Sequence, residues 1–186
     1  IAEGQYTRPE AMQYGGSGLQ QGPQKFLEWL QPLLESATQV VAIDLHTGLG
    51  KFGQDTLLVN PGMGEQKITA MRNRYGKRIC PLDASAGVAY RTRGDLHQGL
   101  MGRWSDMDWT CITQEFGTYK PFKVLKSLRA ENSWDQFGDV EDMYGHWSRR
   151  NLLRIFNPKN DDWRGMLLKR GRILFEQAVA QLQEGE

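Results

Sequence analysis

The feature that most constrains the fold is a short apolar run, Val40 to Ile43, that leads into Asp44-Leu45-His46. Its β-branched, nearly continuous apolar character is typical of a strand buried on both faces, as in parallel or mixed sheets. The residues before it carry apolar side chains at helical spacing from Phe26 to Leu34. Pro32 lies within this stretch and predicts a kink or an early end of the helix. A helix followed by such a strand indicates an α/β architecture.

The remainder of the chain continues this pattern of strands and helices. The sequence predicts further strands at 56–59 and 109–113, and helices at 65–75, 121–131, 139–156 and 161–183. The Gly-punctuated stretch 46–53 and most of 79–105 are predicted to be loops. We therefore expect a three-layer α/β/α fold with a mixed sheet.

Composition excludes several classes of protein. Hydrophobic residues make up 39% and charged residues 24%, with a formal charge of +1, so neither disorder nor a membrane or nucleic-acid partner is expected. No apolar run approaches the roughly 20 residues that span a bilayer. Cys80 and Cys111 form no C-x-x-C pair, and two such cysteines suit a reducing, cytoplasmic compartment.

Two strand ends carry side chains suited to chemistry. Asp44 and His46 are two residues apart on a strand, so their side chains point the same way. A carboxylate beside an imidazole is the arrangement that fixes the tautomer of a metal-binding histidine. The alternative is a histidine at a strand end that only hydrogen-bonds the backbone.

The second strand end carries Glu115, at the close of the apolar strand 109–113 and followed by Phe116-Gly117. A carboxylate partly buried in a cleft has a raised pKa and is suited to proton transfer. The alternative is an ordinary strand-end glutamate that is paired with an arginine.

Taken together, these segments resemble the zinc carboxypeptidase-like superfamily of metallopeptidases. The run from Val40 to Gly48 is similar to the segment that supplies the last zinc ligand in that superfamily. The strand from Trp109 to Glu115 is similar to the strand that ends in its catalytic glutamate. The D-L-H and E-x-G forms are nearest to the aspartoacylase and succinylglutamate desuccinylase branch. The longer strings D-L-H-T-G-L-G and E-F-G-T-Y most resemble a bacterial carboxypeptidase-like branch of undefined function.

This resemblance implies a mechanism and a set of roles. Zinc would be held by two histidines and a glutamate, with His46 as one of the ligands. Glu115 would take a proton from water and pass it to the leaving amine. Asp44 would orient His46 from behind the metal site. The substrate would be a peptide, cleaved at its C-terminal residue, or an N-acyl amino acid.

The chain also departs from the family pattern. The other two ligands belong to an H-x-x-E motif, and no H-x-x-E occurs here, since His46, His97 and His146 are followed three residues later by Leu, Leu and Arg. Because the chain begins at Ile1, we interpret residues 1–186 as the C-terminal part of a single carboxypeptidase-like catalytic domain. The missing N-terminal half would be its partner, and residues 1–186 alone would be incomplete and inactive.

Weaker candidates lie in the loop before the Glu115 strand. Zinc carboxypeptidases place a substrate-facing tyrosine in that general region, which makes Tyr90 a candidate for substrate binding. Arg91 and Arg93 are candidates for contacting a substrate carboxylate, with structural ion pairing as the alternative. His97, in a Gly-rich stretch, is expected to face solvent, with a contact in the site as the alternative.

Three functions stay open at this point. The first is zinc-dependent hydrolysis of peptide C-termini, and the second is deacylation of N-acyl amino acids in the manner of aspartoacylase. The third is a carboxypeptidase-like domain that binds without catalysing a reaction. The sequence does not indicate an oligomeric state.

Overall fold

The computed structural model of the chain describes residues 4–82, 94–139 and 146–184. These residues form an α/β fold with six α-helices and one four-stranded sheet. The helices are α1 (Gln21–Leu34), α2 (Glu65–Tyr75), α3 (Leu96–Arg103), α4 (Pro121–Phe137), α5 (Trp147–Phe156) and α6 (Asp161–Glu184). The strands are β1 (Gln39–Phe52), β2 (Asp55–Val59), β3 (Ile79–Pro81) and β4 (Asp108–Gly117).

The sheet is mixed, as the sequence predicted, with the strand order β1-β4-β2-β3. β1 pairs with β4 in parallel, and β2 pairs with β3 in parallel, whereas β2 and β4 are antiparallel. β4 is the last of the four strands along the described chain, yet it lies between β1 and β2 in the sheet. Both edges of β4 are therefore paired, and most of its residues are buried.

Helices cover the sheet on both faces, and side chains of β4 contribute to the core on each side. Trp109 and Cys111 belong to one cluster, with Leu34 of α1 and Leu100 of α3. The opposite cluster contains Ile112 together with residues of β2, β3, α2 and α6: Leu57, Val59, Ile68, Met71, Tyr75, Ile79 and Leu174. Two helical layers around one sheet are compatible with the predicted three-layer α/β/α arrangement.

β1 is longer than predicted, because the stretch 46–53 is not a free loop but continues the strand as far as Phe52. Gly48 and Gly50 adopt φ angles of 153° and 114°, which residues other than glycine rarely adopt. The register with β4 shifts here, so that Gly48 and Phe52 both lie opposite Gly117. A Cβ on Gly117 would come within 2.2 Å of a backbone oxygen of β1. The glycines that suggested a loop instead let β1 bend around the end of β4.

The stretch 79–105 also differs from its predicted loop, because it contains β3 and α3. Gly99 and Gly102 lower the helix propensity of this segment, which is why the sequence pattern indicated a loop where α3 lies. The helix is stabilised at its first turn by Asp95, whose carboxylate accepts a hydrogen bond from the Gln98 N–H at 2.9 Å. Two further helix boundaries differ from the predicted ones, because α4 ends at Phe137 rather than at 131 and α5 begins at Trp147 rather than at 139.

α6 is the longest helix, with 24 residues. Its Trp163 is buried, and the indole N–H donates a hydrogen bond to the Gly117 carbonyl oxygen at 2.9 Å. This bond fastens the final helix to the end of β4. Within the three described ranges, none of the helices combines the length and apolar character that crossing a lipid bilayer requires.

A buried carboxylate joins β2, β4 and α6. The Asp55 side chain is fully buried, and its Oδ1 accepts a hydrogen bond from Arg170 at 2.8 Å. Its Oδ2 accepts hydrogen bonds from Arg78 and from the Gln114 amide, the latter at 2.7 Å. A buried charge is tolerated only when it is paired and hydrogen-bonded, so this network fixes how the last helix packs on the sheet.

Candidate functional site

The two strand ends singled out in the sequence lie next to each other in the sheet. Because β1 and β4 are adjacent and parallel, their carboxyl ends share one edge, and His46 pairs in register with Glu115. Asp44 lies two residues earlier on the same face of β1. The structure therefore brings together three of the predicted site residues, which are separated by up to 71 positions in the sequence.

The imidazole of His46 lies between two carboxylates. Its Nε2 is 2.9 Å from Asp44 Oδ2, and its Nδ1 is 3.7 Å from Glu115 Oε2. The hydrogen bond with Asp44 raises the pKa of His46, although partial burial opposes the shift. The same hydrogen bond lowers the pKa of Asp44. Asp44 therefore holds one ring nitrogen, and the other nitrogen faces Glu115.

Glu115 is almost completely enclosed, with 5% of its surface exposed. The Leu49 backbone N–H donates a hydrogen bond to its Oε1 at 2.8 Å, which leaves Oε2 directed toward His46. Burial raises the pKa of Glu115, while the bond from Leu49 and the charge of His46 act in the opposite direction. A raised pKa with this physical cause is typical of carboxyl groups that take part in proton transfer.

The bend of β1 creates the space in which Glu115 lies. A Cβ on Gly48 would be 3.4 Å from Glu115 Oε1 and 3.0 Å from the Phe156 ring. The Gly48 carbonyl oxygen accepts a hydrogen bond from the Thr118 hydroxyl at 2.9 Å, and the Thr47 hydroxyl donates to the Phe156 carbonyl oxygen at 2.7 Å. These contacts fix the bend against the end of β4 and against α5, and the bend in turn positions the Leu49 N–H that donates to Glu115.

Two cavities meet at this pair. A cleft of about 360 Å³ is lined by Asp44, His46 and Glu115 together with His97. On the other side, a groove of about 610 Å³ is lined by His46 and Glu115 and by apolar side chains of α4 and α5, namely Val124, Leu125, Leu128 and Phe156. Glu115 thus lies between a cleft whose lining includes several polar groups and a groove whose lining is mainly apolar.

His97 is the site residue whose environment was predicted wrongly. It was expected to face solvent, but it is buried, with 9% of its surface exposed. Burial lowers its pKa, although the charges of Asp44 and Asp95 oppose the shift. The string Asp95-Leu96-His97-Gln98 has the helix-start pattern of a capping residue followed three positions later by Gln. That pattern could have predicted α3 and placed His97 on its first turn.

The remaining predicted site residues fall elsewhere. Tyr90, Arg91 and Arg93 lie outside the described residues, so their roles stay predictions. Cys111 lines the cleft as well, but burial raises the pKa of its thiol to about 12. A thiol with such a pKa is not a nucleophile at neutral pH.

The donor set that faces the cleft fits part of a zinc site. An imidazole with one nitrogen held by a carboxylate is the arrangement that metal-ligating histidines adopt. The part of the chain that the structure describes contains no group of three or more His, Cys, Asp or Glu side chains that could hold a metal ion. Zinc would therefore need ligands in addition to His46.

Comparison with known proteins gives one finding. Neither the curated proteins nor the solved structures included a match to this chain. A family model described as a protein of unknown function, DUF2817, matches residues 1–170. Because the match covers most of the 186 residues, the chain belongs to the DUF2817 family.

Proposed function

We propose that this chain is the C-terminal part of a zinc-dependent hydrolase of amide bonds, carboxypeptidase-like in fold and in mechanism. The observation that carries the proposal is the pair His46 and Glu115 on adjacent parallel strands. One imidazole nitrogen is bound to Asp44, and the other lies 3.7 Å from a buried carboxylate of raised pKa. A metal ligand, its orienting carboxylate and a general base are the parts that such a hydrolase needs at one edge of a sheet.

His46 would bind zinc through Nδ1, because Nε2 is occupied by Asp44. The remaining ligands would come from the H-x-x-E motif that the resemblance places upstream of Ile1. The chemistry that zinc supplies when bound is Lewis-acid polarisation of the scissile carbonyl and a lowered pKa of water. Two nitrogen ligands and one carboxylate would leave one position open, as catalytic zinc sites require.

Glu115 carries the proton transfers. Its carboxylate accepts a proton from the attacking water as the new C–O bond forms at the carbonyl carbon. It then donates that proton to the nitrogen of the leaving amine as the C–N bond breaks. A carboxylate whose pKa is raised by burial is better matched to both steps than an exposed one. The hydrogen bond from Leu49 keeps the reacting oxygen, Oε2, directed toward the cleft.

Activity assays on the natural polypeptide that contains this chain test the proposal. We expect hydrolysis of N-blocked dipeptides or of N-acyl amino acids, lost on incubation with a chelator and restored by zinc. Preference for the first substrate class identifies a carboxypeptidase, and preference for the second identifies a deacylase of the aspartoacylase type. If neither class is hydrolysed with zinc present, the site serves a binding module and the hydrolase proposal is wrong.

The contact between Asp44 and His46 gives a quantitative prediction. Replacing Asp44 with Asn keeps the shape but removes the charge that orients and polarises the imidazole. Changes of this kind cost roughly 10- to 100-fold in metal affinity. Competition with a chromogenic chelator measures the zinc affinity, with Asp108→Asn as the control because Asp108 lies at the far end of β4. Equal zinc affinity for wild type and Asp44→Asn would contradict the role assigned to Asp44.

A further inference from the structure

The cleft contains a polar group that the proposed mechanism does not use. His97 Nε2 is buried and has no hydrogen-bond partner among the residues that the structure describes. A buried polar atom left without a partner costs about 1–3 kcal/mol, so natural proteins seldom keep one without a function. His97 lines the same cleft as Asp44, His46 and Glu115.

We propose that His97 is a substrate-binding residue, whose Nε2 forms a hydrogen bond to an uncharged amide group of the substrate in this cleft. The inference rests on the proposed hydrolase function and extends it to the chemistry that the cleft recognises. His97 would contact the substrate directly and would hold the amide chain beside Glu115. It would take no part in the proton transfers.

The character of the cleft favours an uncharged partner for His97. Three carboxylates line it, those of Asp44, Asp95 and Glu115, and the described lining residues include neither Lys nor Arg. The described lining therefore supplies no Lys or Arg charge that would hold a substrate carboxylate beside His97. Burial disfavours the charged imidazolium, and a neutral imidazole pairs well with the N–H or C=O of an amide because it offers one donor and one acceptor.

Binding and stability together test this assignment. In the natural polypeptide carrying Glu115→Gln, cleavage is expected to be slower by about 10²- to 10⁴-fold. Affinity for the probe N-acetyl-alanyl-phenylalanine is therefore measured by calorimetry in that background, with the probe checked for integrity after each titration. Adding His97→Leu is expected to weaken binding by about tenfold, the effect of one lost hydrogen bond. Adding His97→Gln, which keeps a donor and an acceptor, is expected to restore most of the affinity.

The melting temperature separates a binding role from a structural one. If Nε2 has no partner in the free protein, His97→Leu replaces an unsatisfied polar group with an apolar one, and Tm is unchanged or higher. A clear fall in Tm, an unchanged Kd, or no binding of the probe to the Glu115→Gln protein would each overturn the inference. Failure of the hydrolase proposal is distinct, because it appears as an inactive wild type, whereas the His97 comparison measures binding in a background whose turnover is already greatly slowed.

Discussion

Replacing Glu115 with Gln is expected to lower kcat by about 10²- to 10⁴-fold, the contribution of a well-placed general base. The amide has nearly the shape of the carboxylate, and its oxygen can still accept the hydrogen bond from the Leu49 N–H. It cannot accept a proton from water. We therefore expect KM to change little, because the loss falls on the transition state rather than on substrate binding. Steady-state kinetics on the substrate that the wild type prefers measures both quantities.

The matched control is Glu131→Gln, which makes the same chemical change at a carboxylate that pairs with Arg149 on α5. Glu131 lines neither of the two cavities at the site, so its replacement should leave kcat unchanged. Zinc content should equal that of wild type in both variants. Should Glu115→Gln keep wild-type kcat, Glu115 is a structural residue and another group must move the proton.

Removing the carboxylate of Asp55 is expected to destabilise the fold by about 3 kcal/mol. Breaking a buried ion pair costs roughly 3–5 kcal/mol, because a charge is left without its partner. The lower end applies here because Arg78 and Arg170 are partly exposed, at 23% and 38% of their side-chain surface, and water can hydrate them. Water cannot reach the Gln114 amide in the same way, because Gln114 is fully buried and would lose its hydrogen bond to Asp55. Urea unfolding of Asp55→Ala beside wild type measures the difference.

Asp108→Ala is the control for that measurement. Asp108 pairs with Lys67 at 3.5 Å, and both side chains are more than half exposed. Exposed ion pairs contribute at most about 1 kcal/mol, so the free energy of unfolding should stay close to that of wild type. If Asp55→Ala is no more destabilising than Asp108→Ala, the buried network does not fix α6 on the sheet.

The sequence predicts helices and strands correctly where an unbroken run of residues carries the apolar spacing of that element. The run Val40–Ile43 predicted β1, and the helical spacing from Phe26 to Leu34 predicted α1. These patterns depend only on side chains close together in the chain, and burial in the sheet reinforces them. The continuation of β1 to Phe52 could not be predicted in the same way. Its glycines are typical of a loop in isolation, and only pairing with β4 shows that they serve a bend.

The site shows the same division between local and long-range information. Asp44 and His46 share a face because they are two residues apart on one strand, which the sequence predicts directly. That Glu115 is paired in register with His46 depends on β4 inserting between β1 and β2, a long-range event that no local pattern specifies. His97 was assigned to solvent because its Gly-rich surroundings concealed a helix. His97 lies on α3, which packs on the sheet through Leu100 against Trp109 and Cys111 of β4.

The most direct measurement is the zinc content of the natural polypeptide that contains this chain, purified as wild type and as His46→Ala. His46 has 45% of its side-chain surface exposed, so its replacement should leave the fold intact, and circular dichroism checks this. We predict about one zinc per wild-type chain, as in a catalytic site of three protein ligands, and a large loss of zinc in His46→Ala. Metal absent from both proteins, or retained equally by both, would contradict the assignment of His46 as a zinc ligand.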